Sequence, residues 1–338
     1  MSQPWQVTGG NADRSRIHRP LRSGRDSLAA EDRERLLHPA VGGVIHFARH
    51  YATPEQLRAI NAEIHALREP ALPGFPSTTK AAASSVFATA SPRSRRCARS
   101  ATSGTASRRP RATRHDDSVR VIADELCAHG VDFSFTPVLD LDHGESTDRA
   151  TARSIAIRWR LQQLATALIA GLRDGGMASV GKHFPGHGFV RADSHSEVPI
   201  DDRSLAELEA DDILPFAALV NAGLDAVMPA HVIYPEVDSQ PAGYSQRWLQ
   251  DILRGRLGFD GMIFSDDLGM AGAHGAGDML ARAELALSAG CDMVLVCNDL
   301  PAADALLERW RMPLSPDLER RAGRLRAVVR DLPRSSAR

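Results

Sequence analysis

Residues 177–184 read MASVGKHF, and residues 204–231 read SLAELEADDILPFAALVNAGLDAVMPAH. The first is a short apolar run that ends on Lys182 and His183. The second opens on a serine suited to capping, continues with apolar residues at helical spacing, closes on Gly223 and starts a new apolar run that ends on His231. Strand, loop, helix and strand in that order make a βα unit on a parallel sheet. The pattern repeats outward. Strands are expected at 41–47, 131–142, 177–184, 224–231, 260–268 and 291–298, with helical stretches such as PEQLRAINAEIHALRE between them, where Pro54 occupies the first turn. Polar residues collect at the strand ends: Asp140 and Asp142, Lys182 and His183, His231, Asp266 and Asp267, and Asn298. In a βα barrel that end carries the chemistry. The reading is therefore an α/β fold, a single TIM-type (βα)8 barrel forming one domain over 1–338, with a doubly wound sheet as the alternative.

With 338 residues, 43% of them apolar, and a formal charge of -1, the chain is neither an acidic disordered tail nor a globally basic nucleic-acid binder. No apolar run reaches the roughly 18 to 20 residues of a membrane span, and the first residues lack the apolar stretch of a signal peptide. A cytoplasmic protein with no membrane or nucleic-acid partner is expected. Cys97, Cys127, Cys291 and Cys297 show no CxxC spacing, which favours buried thiols over disulfides or a zinc site. One stretch departs from the rest: residues 76–114 hold eight arginines and no acidic residue, without periodicity. Taken alone, it reads as a basic insertion of the kind that touches nucleic acid. The overall charge opposes that rival.

The stretch with most chemistry is GKHFPGHGFVRADSHSEVP, residues 181–199. Lys182 and His183 at a strand end can donate to substrate hydroxyls, and the glycines of the turn let the following segment swing over a pocket. Asp193 and His195, two apart, suit a carboxylate that orients an imidazole and raises its basicity, which makes a proton shuttle near neutral pH. Two other readings exist: a solvated surface loop, or a metal site of His183, His187 and His195, which no HExxH-type signature supports. The second constellation is FSDDLGM, residues 264–270, where a carboxylate at a strand end can attack an anomeric carbon. Its bland reading is a helix cap beside a surface charge.

As a set, VGGVIHFARHY, FTPVLDLDHG, VGKHFPGHG followed by ADSH, VMPAHVIYP, QPAGYSQRWLQDILRGRLGFDG and IFSDDLGM resemble the bacterial cytoplasmic β-N-acetylglucosaminidases of glycoside hydrolase family 3, the enzymes of peptidoglycan recycling. The motifs come in family order over most of 41–70 and 119–310. The resemblance implies Asp266 as nucleophile, His195 as general acid/base on a mobile loop, Asp193 as its partner, and Lys182 and His183 as substrate contacts. It also implies that no cofactor is needed. The substrate would be a muropeptide with GlcNAc linked β-1,4 to anhydro-N-acetylmuramic acid, cleaved by a monomer with retention of configuration. Adjacent strand-end residues point to opposite faces, so only one of Asp266 and Asp267 can enter the pocket; with Asp266 implied by the resemblance, Ser265 and Asp267 are expected to turn away.

The chain departs from this family in segments 1–35, 76–115 and 147–160. The third-strand motif of DxEGGRVQR type is missing, as is the GDRxF motif expected after Gly144, and the first 35 residues show no apolar first strand. The two lysines, Lys80 and Lys182, among 41 basic residues point to a GC-rich gene, in which displaced frames stay open. Back-translation from Pro76 and from Arg149, read from the third base of each codon, can spell both missing motifs at their proper places. Compensated frameshifts are therefore expected, with a catalytically impaired barrel of the same family as the rival outcome.

Overall fold

Ten strands order the chain in a computed structural model that describes residues 6–8, 27–47, 50–67, 74–76, 111–141, 143, 152–190, 198–297, 299–310 and 316–325. They are β1 (Gln6–Thr8), β2 (Val41–His46), β3 (Gly74–Pro76), β4 (Phe133–Ser134), β5 (Ala178–Phe184), β6 (Ala226–Pro229), β7 (Ile233–Tyr234), β8 (Asp238–Pro241), β9 (Met262–Asp267) and β10 (Met293–Val296). Eight of them form one sheet in the order β3-β2-β1-β10-β9-β6-β5-β4, and its strand pairs are parallel. β7 and β8 make a separate antiparallel pair.

The expected strands are present but shorter. The 131–142 run is a strand only at Phe133–Ser134, because the Thr136 N–H turns back to the Ser134 carbonyl (2.7 Å) and Pro137 has no N–H to give; pairing resumes as a single bridge from Val138 to Lys182. Four strands were not anticipated: the antiparallel pair β7 and β8, and β1 and β3 of the large sheet. The first 35 residues, expected to lack an apolar first strand, do supply a short and mostly polar one, β1: Val7 and Thr8 pair with Leu295 and Val296 of β10, and Gln6 and Val7 with Val41 and Gly43 of β2. β3 pairs with Val44, Ile45 and His46 of β2 and stops at Pro76, where the arginine-rich stretch begins. Helices also enter two of the atypical segments, since Arg111–Ala128 begins inside 76–115 and Ala152–Asp174 runs through the end of 147–160.

The helix over 54–69 is observed as Pro54–His65, capped by Thr53, whose side chain accepts the Gln56 N–H at 3.1 Å. The expected single helix from Ser204 to Gly223 is two: Leu205–Glu209, closed by a capping box between Ser204 and Glu207, and Ile213–Asn221. Pro215 causes the break, since its ring would meet the Asp211 carbonyl in a continuous helix. Gly223 then ends the second helix at φ 86°.

Strand alternation divides the core. Ile263, Val294 and Val227 pack against helices in one cluster, while Met262, Phe264, Val180, Met228, Met293 and Leu295 join Phe133 and Phe135 in the other. Phe133, Phe135 and Phe264 stack mutually with centroids 5.3 to 5.5 Å apart. Asp266 follows Phe264 by two residues and Lys182 follows Val180 by two. Their side chains therefore rise from this aromatic layer at the C-terminal end of the sheet. Cys127, Cys291 and Cys297 are buried, while Cys97 lies outside the described residues.

Candidate active site

Asp140, which follows β4, organises the strand-end loop that leaves β5. Its Oδ1 accepts the main-chain N–H of His183 (3.1 Å) and of His187 (2.9 Å), and its Oδ2 lies 2.9 Å from His183 Nδ1. A carboxylate accepts, so Nδ1 carries the hydrogen and Nε2 is left to meet a ligand. Burial would raise the Asp140 carboxyl, but the bonds from His183 and His187 outweigh it and hold it down at about 2.

Beyond His187 the turn needs its glycines. A Cβ on Gly188 would collide with the Leu141 carbonyl, and one on Gly186, at φ 147°, with Asp212. The Tyr234 hydroxyl donates to the Gly186 carbonyl at 2.6 Å. Phe189 lies under the Arg203 guanidinium, 4.2 Å from ring centroid to Cζ. Arg203 in turn pairs with Asp201 through Nε (2.8 Å) and Nη2 (2.5 Å) and with Asp212 through Nη1, all buried. Both stems of the loop thus rest on one guanidinium, one through Phe189 and the other through Asp201.

At the end of β9, Asp266 keeps partial access to solvent, while Ser265 and Asp267 are buried. Asp266 Oδ1 accepts the Asp267 N–H at 2.8 Å, and among the described residues none is bonded to Oδ2. Ser265 Oγ takes the Leu295 N–H (2.9 Å), and Asp267 Oδ1 takes the N–H of Gly269 (2.9 Å) and of Cys297 (3.1 Å). The neighbours of Asp266 are therefore tied into the sheet and its turn, as their expected outward orientation requires. Burial raises the Asp266 carboxyl, yet the pull of His183, the Asp267 N–H and the Lys182 ammonium bring it below the ordinary aspartate value. Burial likewise pushes Lys182 down, against the pull of Asp266 and Asp140. The Lys182 ammonium also sits 5.8 Å from the Phe135 ring centroid.

The structure thus brings Lys182, His183 and Asp266 into one electrostatic neighbourhood. Asp193 and His195 lie outside the described residues, as do Asp142 and Asn298. Two further residues belong to the site: Asp140, which a strand-end position alone marks in the sequence, and His231, marked only by closing the VMPAH run. Of the histidine trio weighed as a metal site, His183 and His187 have ring centroids 6.2 Å apart, and His183 Nδ1 is committed to Asp140. Among the described residues, His143, Asp211 and Asp212 do bring ligand-type atoms within 4.8 Å of one another. There His143 Nε2 lies 3.3 Å from Asp212 Oδ1, and Arg203 takes the other Asp212 oxygen. No described helix is long and apolar enough to cross a membrane.

A partly accessible carboxylate at a strand end, held ionised beside a lysine and a histidine, defines a polar site at the C-terminal face of a parallel sheet. Residues 16–314 match the glycosyl hydrolase family 3 N terminal domain, and the chain belongs to that family. It is 50% identical over 324 residues to a beta-hexosaminidase of Chromobacterium violaceum, covering 89% of this chain and 85% of that protein. It is 48% identical over 295 residues to one of Nitrosospira multiformis, covering 85% and 82%. Among solved structures, NagZ from Neisseria gonorrhoeae in complex with N-trifluoroacetyl-D-glucosamine is similar at a TM-score of 0.76 and 40% identity, over 97% of this chain and 91% of that one.

Proposed function

We propose that this protein is a retaining exo-β-N-acetylglucosaminidase that removes GlcNAc linked β-1,4 to anhydro-N-acetylmuramic acid in cytoplasmic muropeptides. The observation that carries the reading is Asp266, a carboxylate kept ionised at this site with one oxygen bound and the other available. The beta-hexosaminidase relatives, and an amino sugar in the similar NagZ structure, support the substrate class.

In this mechanism Asp266 Oδ2 attacks the anomeric carbon as the bond to the leaving oxygen breaks, and that oxygen takes a proton from His195, oriented by Asp193. Water then attacks the glycosyl ester and gives its proton back to His195, which frees Asp266 with net retention. Lys182 and His183 bind sugar hydroxyls, with His183 aligned by Asp140. Oxocarbenium-like charge develops beside an ionised Asp266, where attraction is strengthened by the partly desolvated site.

The same reading takes the sheet as a closed (βα)8 barrel in one domain over 1–338; the two edge strands β3 and β4 run beside each other with Cα atoms within 8 Å, which supports closure. It also takes 76–115 and 147–160 as segments read in a displaced frame. The direct test is release of the aryl alcohol from 4-nitrophenyl β-N-acetylglucosaminide. Turnover that is lost in Asp266→Asn is expected, and no turnover by the folded chain would leave the impaired barrel. His195→Ala should slow poor leaving groups more than activated ones.

A further inference from the structure

His231 takes no part in the steps above, yet it is buried beside them. It follows β6, is 1% exposed, and its Nε2 lies 3.1 Å from the Asp267 carbonyl oxygen. A carbonyl only accepts, so Nε2 carries the hydrogen. Asp267 is the residue whose N–H holds Asp266 Oδ1, and its own carboxylate is tied to the Cys297 N–H just past β10. In the sheet β9 lies between β6 and β10. Asp267 is therefore gripped from both neighbouring strands, by its side chain on one side and by its carbonyl on the other.

We propose that His231 is a positioning residue for the nucleophile: as a neutral imidazole with hydrogen on Nε2, it ties the end of β9 to the end of β6 and, through Asp267, fixes Asp266 with Oδ2 presented to the sugar. The proposal rests on the assignment of Asp266 as nucleophile. The ring's other nitrogen does no comparable work, because Nδ1 is buried without a hydrogen-bond partner among the described residues and the ring lies tilted against Tyr244 at 5.7 Å. Burial keeps the ring neutral against the pull of Asp266 and Asp267, with His183 adding to the push downward. A bond to a main-chain carbonyl oxygen needs only an N–H, which the neutral ring supplies. An uncharged donor suffices at this position.

Two variants and one spectrum test this. Glutamine can offer an amide N–H where Nε2 stands, and leucine cannot. His231→Leu should lower kcat about 10- to 100-fold with KM within about threefold, the scale of a misplaced reacting group, while His231→Gln stays within a few-fold of wild type. Equal loss in both variants, or a loss confined to KM, would overturn the proposal. Independently of activity, ¹⁵N NMR of histidine-labelled wild type, with His231 assigned by the signal missing in His231→Gln, should show the neutral Nε2–H tautomer from pH 6 to 8. A charged ring or an Nδ1–H tautomer would refute it. A folded wild type that hydrolyses no glycoside while showing the Nε2–H signal would sink the glycosidase reading and leave the tie from His231 to Asp267 standing.

Discussion

The carboxylate of Asp140 holds His183 twice, accepting its main-chain N–H at 3.1 Å and lying 2.9 Å from its ring Nδ1. The ring is therefore oriented before any sugar arrives. Asp140→Ala should raise KM more than tenfold with a smaller change in kcat, measured on an aryl N-acetylglucosaminide.

The same bonds give a stability signature. The Asp140 carboxyl is held at about 2 in the folded chain against an ordinary value of 3.8, so its ionised form is favoured by folding. That contribution is fully present above about pH 4 and is lost as pH falls towards 2, amounting to about 2 kcal/mol. Unfolding curves of Asp140→Asn and wild type should therefore differ at pH 6 and converge near pH 2.

Lys182 helps to keep Asp266 ionised, and its removal takes away a nearby positive charge. In Lys182→Met the Asp266 carboxyl should titrate at higher pH. The acid limb of kcat/KM should then move upward, with KM raised as well. An unmoved limb would show that Lys182 serves sugar binding alone.

Arg203 is buried with Asp201 and Asp212, and its guanidinium also lies against Phe189. Arg203→Met would leave two buried carboxylates without their cation, which costs about 3 to 5 kcal/mol. Thermal or denaturant unfolding should show a loss of that size. Arg203→Lys should recover only part of it, because a single ammonium cannot reproduce the fork to Asp201 while reaching Asp212.

Much of the sheet was readable because its strands are uncharged apolar runs closed by polar residues, and Lys182, His183 and Asp266 stood out for the same reason. β1 was not, since Gln6–Thr8 contains one apolar residue and joins the sheet through main-chain pairing with β2 and β10. β3, at three residues, is too short for alternation to show. The break near Asp211 was hidden because Pro215 falls inside an otherwise continuous helical pattern. Asp140 stood at a strand end, but its bonds to a loop more than 40 residues onward depend on the Val138 to Lys182 bridge. His231 was equally visible as a strand end, yet its partner is a main-chain carbonyl, which no side-chain pattern reports.

The absent third-strand motif leads to a separate expectation. A gene re-sequenced and expressed with 76–115 and 147–160 in the restored frame should hydrolyse the aryl glycoside with a much lower KM, since the missing carboxylate and arginine would bind hydroxyls. Equal kinetics, or an uninterrupted gene matching the present chain, would refute the displaced-frame account.

The central claim is that Asp266, and not its neighbour, bonds to the sugar. Incubation with a fluorinated N-acetylglucosaminyl donor bearing a good leaving group slows hydrolysis of the intermediate more than its formation, so the glycosyl ester accumulates. Peptide mapping by mass spectrometry should place one sugar on Asp266 within MIFSDDLGM, with no label in Asp266→Asn. A label on Asp267, or on no carboxylate while turnover continues, would contradict the account.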